Sequence, residues 1–122
     1  MERDTLQFGI EKSTVEKVRR VFQQYAEIER VILYGSRAKG NYRPGSDIDL
    51  TMVGTNLSHQ QLLSIEHQLD DLLLPYLFDL SIFSHIKDPD MIAHINRVGC
   101  IFHEKPSGSE QQQPPKYPDR PC

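Results

Sequence analysis

Apolar side chains near the start of the chain follow first a helical and then a strand-like spacing. Residues 13–29 place apolar side chains at intervals of three and four positions, which predicts a helix with one buried face. Ser13 and Glu16 form a capping-box pattern at its start. The run that follows, Arg30–Tyr34, is short and rich in β-branched residues, so it predicts a buried strand.

After Tyr34 the apolar runs predict alternating strands and helices. Strands are expected at residues 47–53, 76–83 and 100–103, and helices at residues 58–74 and 88–99, with one or two helical turns in SRAKG. Pro75 ends the first long helix, while Asp88 and Pro89 supply a cap and a first-turn proline for the second. Such alternation with short connections predicts an α/β (α+β) domain with helices flanking one small mixed sheet.

Residues 106–122 lack this periodicity. The segment PSGSEQQQPPKYPDRPC is rich in Pro, Gln and Ser, a composition that cannot bury enough apolar surface to offset the entropy of ordering. We therefore expect one folded domain at residues 1–105, followed by a disordered tail at residues 106–122.

The composition narrows the class of protein. No apolar run approaches the ~20 residues of a membrane-spanning helix, and the N-terminal MERDTLQ is charged rather than signal-like. We therefore expect a cytoplasmic protein that does not associate with membranes. Of the two cysteines, Cys100 lies in an apolar run and Cys122 is the last residue, so we expect no disulfide and a buried thiol at Cys100.

Charge is distributed unevenly along the chain. The net charge of −3 argues against a general nucleic-acid binder, since such domains tend to be strongly basic. Arg37, Lys39 and Arg43 nevertheless cluster directly after the Gly35-Ser36 pair. A local basic patch on an acidic protein suits a small anion better than a long polyanion.

Two aspartates interrupt the apolar run at residues 47–53. Side chains alternate between faces along a strand, so Asp47 and Asp49 share one face while the residues between and after them bury on the other. Asp79 has the same parity in the strand predicted at residues 76–83. If these two strands are neighbours, the three carboxylates form one cluster.

Clustered carboxylates repel one another unless a cation lies among them. Oxygen ligands in a small open cluster suit Mg²⁺ or Mn²⁺, which keep several waters and accept substrate phosphate oxygens. The alternative interpretation is structural, with Asp47 following a turn, Asp49 at an edge strand and Asp79 facing solvent.

The Gly35-Ser36 pair adds a site for phosphate beside these acids. A glycine at the end of a strand allows the backbone to approach a ligand closely. Ser36 and the amides after it lie at a helix start, where free N–H groups favour phosphate, and Arg37, Lys39 and Arg43 can add charge-assisted contacts. A plain turn is the alternative, but a phosphate-binding turn and metal-binding carboxylates within one fifteen-residue segment are much less expected by chance.

The segment GSRAKGNYRPGSDID, from Gly35 to Asp49, resembles the G-S-x10-D-x-D signature of the polymerase-beta-type nucleotidyltransferase superfamily. The short length and the YGSRAKG segment resemble the minimal nucleotidyltransferases (MNT) that are often encoded beside HEPN-domain proteins. The resemblance covers residues 15–104. A P-loop is excluded because no G-K-[ST] follows the glycine, and a Rossmann site because G-x-G-x-x-G is absent.

The resemblance implies a polymerase-beta-like fold and a metal-dependent transfer. Asp47 and Asp49 would hold two Mg²⁺ ions about 3.5–4 Å apart, and Asp79 would act as a ligand or base. Gly35 and Ser36 would cradle the phosphates of ATP or another nucleoside triphosphate. A hydroxyl would attack the α-phosphorus and release pyrophosphate.

The family resemblance also bears on the acceptor. Larger members carry an extra helical domain, which this chain is too short to supply, so a partner protein or a second copy is expected to present the hydroxyl. Minimal nucleotidyltransferases paired with HEPN toxins act as antitoxins, and similar ones transfer AMP to a toxin tyrosine. Two alternatives stay open: a module that neutralises its partner by contact, and the catalytic subunit of a two-chain enzyme acting on a small-molecule hydroxyl.

Overall fold

The computed structural model describes residues 6–106 and 118–122, which form six strands and four helices. The strands are β1 Leu6–Gln7, β2 Ile10–Glu11, β3 Arg30–Tyr34, β4 Ile48–Val53, β5 Phe78–Ile82 and β6 Cys100–Glu104. The helices are α1 Lys12–Gln23, α2 Gly35–Lys39, α3 His59–Asp71 and α4 Pro89–Val98, and a 3₁₀ turn at Phe83–His85 follows β5.

Four of the strands form one mixed sheet in the order β5-β4-β3-β6. β3 pairs antiparallel with both β4 and β6, whereas β4 and β5 run parallel. The parallel pair needs a crossover connection, which α3 supplies. The predicted α/β class with a small mixed sheet is confirmed, and β6 is the predicted edge strand.

Helices cover both faces of this sheet. On one face the apolar sides of α1 and α3, which include Phe22 and Ile65, pack against the inward residues of β3, β4 and β5, which include Leu33 and Leu50. All four of these side chains are fully buried. On the other face Ile95 of α4 packs in a smaller cluster of buried β3 and β4 side chains: Ile32, Tyr34 and Val53. Because both faces are covered, β3 is a nearly continuous apolar run.

Helix starts differ in how closely they follow the sequence prediction. Ser58 caps α3, since its hydroxyl accepts from the Gln61 amide and the Gln61 side chain returns a bond to the Ser58 amide. Asp88 caps α4 and accepts from the Asp90 amide. The predicted capping box at Ser13 is wrong, because α1 begins one residue earlier and Glu11 is its N-cap.

The sequence analysis missed the N-terminal β-hairpin. β1 and β2 pair antiparallel around Phe8 and Gly9, which both have positive φ values. The strands have two residues each, too few to show an alternating pattern. The hairpin places the Phe8 carbonyl against α2, where it accepts a hydrogen bond from Arg37.

The end of the chain is fastened to the sheet, contrary to two expectations. Cys100 and Cys122 form a disulfide, so the expectation of a free buried thiol is wrong. The Ile101 amide donates to the Arg120 carbonyl (2.7 Å), and Pro118 is buried. The prediction of disorder therefore does not hold for residues 118–122, while residues 107–117 lie outside the described part of the chain.

Within the described ranges, none of the helices combines the length and the apolar character needed to cross a bilayer.

Candidate active site

The turn from β3 into α2 brings the backbone against a carboxylate. Gly35 has φ +75°, a conformation that side-chain-bearing residues rarely adopt. A β-carbon at this position would overlap the Asp49 carboxylate. Only glycine therefore lets the acid lie directly over the turn.

The acids predicted to cluster lie at one level of the sheet. Tyr34 of β3 is in register with Asp49 of β4, and Asp49 is in register with Asp79 of β5. Asp47 lies one residue before β4 and has the parity of Asp49. Asp47 and Asp79 are exposed and Asp49 is half-buried. The predicted neighbour relation between the two acid-bearing strands is thus confirmed.

These carboxylates repel one another. The pKa of Asp49 is raised from 3.8 to about 6, first by burial and then by the negative charges of Asp79 and Asp47. The pKa of the Tyr34 phenol is also raised, by burial and by the charges of Asp79 and Asp49. A cation placed among the acids would relieve both effects.

The donor set matches a hard cation in its chemistry, because it consists of carboxylate oxygens. Over the residues that the structure describes, no group of three or more His, Cys, Asp or Glu is close enough to form a metal cage. The carboxylates of Asp47, Asp49 and Asp79 are at least partly open to solvent, which suits Mg²⁺, because that ion keeps several waters and accepts phosphate oxygens. Asp47, Asp49 and Asp79 are the residues that could hold it.

The three predicted basic residues do not share one environment. Lys39 at the end of α2 and Arg43 in the following loop are both exposed. The loop turns back at residues 43–46, where the Ser46 amide donates to the Arg43 carbonyl and the Arg43 amide donates to the Ser46 hydroxyl. Both side chains are therefore outside the core.

Arg37 is buried, with only 3% of its surface exposed. Its Nε and Nη2 donate to the Ser46 carbonyl (3.1 and 2.9 Å), and its Nη1 donates to the Phe8 carbonyl (2.8 Å). The rings of Tyr42 and Tyr76 each lie 5.3 Å from the guanidinium carbon. This differs from the expected phosphate contact, because backbone carbonyls occupy all three nitrogens.

Two further residues belong to this region: Tyr34, which the sequence indicates only as core or pocket wall, and Thr51, which it does not single out. Tyr34 extends the row of acids onto β3, and its ring meets the edge of the His94 ring of α4 (centroids 6.1 Å apart). Thr51 lies one level below Asp49, fully buried, and its hydroxyl has no hydrogen-bond partner in the described structure. The parity of Tyr34 at the end of its strand was the available signal, whereas Thr51 gave none.

Solved structures with a similar fold come from toxin–antitoxin systems and from an archaeal protein. A crystal structure of a toxin–antitoxin with AMP-PNP is 16% identical, with TM-score 0.62, covering 75% of this chain and 73% of the other. A structure of a tri-AMPylated Shewanella oneidensis HEPN toxin in complex with an MNT antitoxin is 14% identical, with TM-score 0.58, covering 77% of this chain and 72% of the other. A putative nucleotidyltransferase from Sulfolobus solfataricus is 19% identical, with TM-score 0.50, covering 77% of this chain and 79% of the other.

At such identities the similarity to these solved structures concerns the fold alone. In a separate comparison, no curated protein sequence matches this chain significantly. The family model described as "Polymerase beta, Nucleotidyltransferase" matches residues 16–107. That range contains the Gly35-Ser36 turn, the whole four-stranded sheet and all three acids. The chain therefore belongs to the polymerase beta nucleotidyltransferase family.

Proposed function

We propose that this protein is a Mg²⁺-dependent nucleotidyltransferase that moves a nucleoside monophosphate, in the first place AMP from ATP, to a hydroxyl group. The observation that carries the proposal is the contact between the Gly35 backbone and the Asp49 carboxylate, with Asp79 in register beside it. A triphosphate on the turn would thereby meet the acids at its reacting end. Family membership supports the reaction class.

In this proposal Asp47 and Asp49 hold the divalent cation. When bound, the metal neutralises the triphosphate and favours the ionised form of the acceptor hydroxyl. Gly35 and Ser36 offer backbone N–H groups to the phosphates, and exposed Lys39 and Arg43 add charge. Asp79 would accept the proton of the hydroxyl, and its exposure on the edge strand β5 supports this role.

We further propose that the acceptor lies on a partner protein of the HEPN toxin class and that this chain acts as its antitoxin. The support is fold similarity to antitoxins solved with HEPN toxins, one of which is AMPylated, together with the exposure of Asp47 and Asp79. Exposed acids suit an acceptor that arrives on a separate molecule.

The test is the intact mass of a protein that co-purifies with this chain from its native host. We expect the partner to gain one or more adenylyl groups with the wild type and none with an Asp47→Asn, Asp49→Asn double variant. Asp71→Asn, at the exposed end of α3, is the matched control and should leave the gain unchanged. Folding of each variant is checked by circular dichroism.

Other outcomes contradict the proposal in distinct ways. An unmodified partner that binds the wild type and the double variant equally would indicate neutralisation by contact. Full modification by the double variant would exclude catalysis by these acids. Transfer to a small-molecule hydroxyl, with a partner that stays unmodified, would indicate a two-chain enzyme.

A further inference from the structure

Arg37 joins four separate parts of the chain around the candidate site. It lies in α2, one residue after Ser36, and its guanidinium holds the carbonyl of Ser46, one residue before Asp47. Its third bond reaches Phe8 of the N-terminal hairpin, and Tyr76 before β5 covers one side of it. The side chain thus bridges the turn, the loop before the acids, the hairpin and the entrance to β5.

We propose that Arg37 is a positioning residue, whose guanidinium sets the spacing between the Gly35-Ser36 turn and Asp47. The inference rests on the proposed function and extends it with a role that the sequence did not suggest. Arg37 acts through the Ser46 carbonyl rather than by touching the nucleotide.

Backbone bonds hold this loop at its end and within its turn, where the Ile48 amide donates to the Leu77 carbonyl and the Ser46 amide donates to the Arg43 carbonyl (2.9 Å each). Among the described residues, no backbone bond joins residues 41–47 to α2. The two bonds from Arg37 to the Ser46 carbonyl make that link, between positions nine residues apart. The Arg37 guanidinium is a planar fork whose donors are fixed relative to one another. It therefore sets both the distance from α2 and the direction of the Ser46 carbonyl, which precedes Asp47.

The fork is itself held in place. Tyr42 and Tyr76 flank the guanidinium, and Gly9 of the hairpin lies so close to the Tyr42 ring that a β-carbon there would overlap it. Cation–π contacts are stronger when the guanidinium is removed from water, as it is here. The stack therefore restricts rotation of the fork and keeps the loop from swinging away from α2.

Burying this charge is costly, which is informative about its role. An apolar side chain could fill the same volume, but it would leave the Ser46 and Phe8 carbonyls without their donor. A lysine keeps the charge, but its single ammonium nitrogen cannot reproduce the two bonds that the guanidinium makes to the Ser46 carbonyl. Arg37→Lys and Arg37→Met should therefore cause similar defects, unlike variants of a phosphate contact.

The test measures pyrophosphate release from Mg²⁺·ATP in the presence of the co-purifying partner. For Arg37→Lys we expect kcat to fall about tenfold or more, with KM for ATP within about threefold of wild type, because a misplaced Asp47 affects reaction geometry. Lys39→Met, two residues along α2, should instead raise KM mainly. Arg20→Lys, on the exposed side of α1, is the unchanged control.

Tyr42→Leu covers the case in which an Arg37 variant does not fold, because it keeps the three hydrogen bonds and removes one ring. We expect its kcat to fall less than that of Arg37→Lys, with KM again preserved. A raised KM and unchanged kcat in Arg37→Lys would overturn the proposal in favour of a direct phosphate contact. Wild-type kcat and KM with only a lowered Tm would reduce Arg37 to a structural role.

A second readout separates this inference from the proposed function. Amide hydrogen exchange of Arg43, Gly45, Ser46 and Asp47 needs neither nucleotide nor partner. We expect faster exchange in Arg37→Lys and Tyr42→Leu than in Arg20→Lys. If wild-type protein transfers nothing to any acceptor while this exchange pattern holds, the proposed function fails and the loop-holding role of Arg37 stands. Unchanged exchange would overturn the loop-holding role.

Discussion

At the scale of single residues, the site depends on two positions where backbone and charge are close together. Gly35 has no side chain, so the Asp49 carboxylate can lie against the turn. Asp49 in turn faces the charges of Asp79 and Asp47 in a half-buried position. Substitution at either position should therefore change the free energy of unfolding by a measurable amount.

The metal-free protein should lose stability as pH rises through Asp49. The folded pKa of about 6 exceeds the ordinary 3.8, so the folded state binds the proton more tightly than the unfolded state. Stability is therefore greatest below about pH 4 for this group and falls as pH rises to about 6. Urea unfolding in EDTA should show this slope in wild type and in Asp71→Asn.

Asp49→Asn should flatten that slope and stabilise the metal-free protein at pH 7 by on the order of 1 kcal/mol, a figure reduced for solvent screening. Added Mg²⁺ should stabilise wild type and not Asp49→Asn. An identical pH slope in wild type and Asp49→Asn would contradict the predicted repulsion.

Gly35→Ala should destabilise the protein by about 1–2 kcal/mol, because its φ of +75° disfavours a side chain and the new β-carbon would displace the Asp49 carboxylate. Gly45→Ala is the matched control, since a β-carbon there meets open space. Thermal unfolding gives the stabilities, and titration with Mg²⁺·AMP-PNP gives binding. Equal effects of the two substitutions would argue against the close approach.

At the scale of elements, β4 and β5 form the site because they are parallel neighbours joined by α3. Their register aligns Asp49 with Asp79. The start of α3 is fixed by the reciprocal bonds between Ser58 and Gln61. Stability of this crossover helix therefore bears on whether β5 stays in place beside β4.

Ser58→Ala should lower the free energy of unfolding by about 1 kcal/mol, because the Gln61 amide loses its acceptor. Ser58→Asp should restore most of the loss, since aspartate caps helices about as well as serine. Chemical unfolding curves of the three proteins provide the comparison. A loss in Ser58→Asp equal to that in Ser58→Ala would show that the serine acts by another route.

At the scale of the whole molecule, the last residues return to the edge of the sheet. The Arg120 guanidinium donates to the Asn96 and Arg97 carbonyls at the end of α4, and the Cys100–Cys122 disulfide closes a loop with a sequence separation of 22. Helix α4 and the edge strand β6 are thus linked to a segment that follows them in the chain.

Cys122→Ser should lower the free energy of unfolding by about 3 kcal/mol, the loop-closure value for a ring of this size. The measurement is urea unfolding under oxidising conditions. Adding a dithiol reductant should bring wild type to the stability of the variant. A difference that persists in reductant would mean that the serine acts on packing instead.

The sequence predicted those features that depend on local pattern. Parity placed Asp47, Asp49 and Asp79 on one face, and α3 and α4 were capped where Ser58 and Asp88 indicated. What it missed depends on distant segments coming together. Arg37 was assigned to phosphate because its partner Phe8 lies 29 residues away, and no local pattern encodes that contact.

The disulfide was missed for the same reason. Cys100 in an apolar run looks like an ordinary buried residue, and pairing it with Cys122 requires knowing that residues 118–122 lie along β6. A composition rich in proline and glutamine gave no sign of that path. Bond formation between distant positions follows from tertiary geometry rather than from spacing.

The ring closed by Cys100 and Cys122 also determines what a protease can do to this molecule. Of Lys105, Lys116 and Arg120, which lie between the two cysteines, only Lys116 is not followed by proline, so trypsin cutting after Lys116 severs the backbone without releasing either piece. The nicked protein would migrate as a single species on a non-reducing gel and separate into two fragments once thiol is added. A chain broken in this segment thus remains one particle until its sulfur bond is opened.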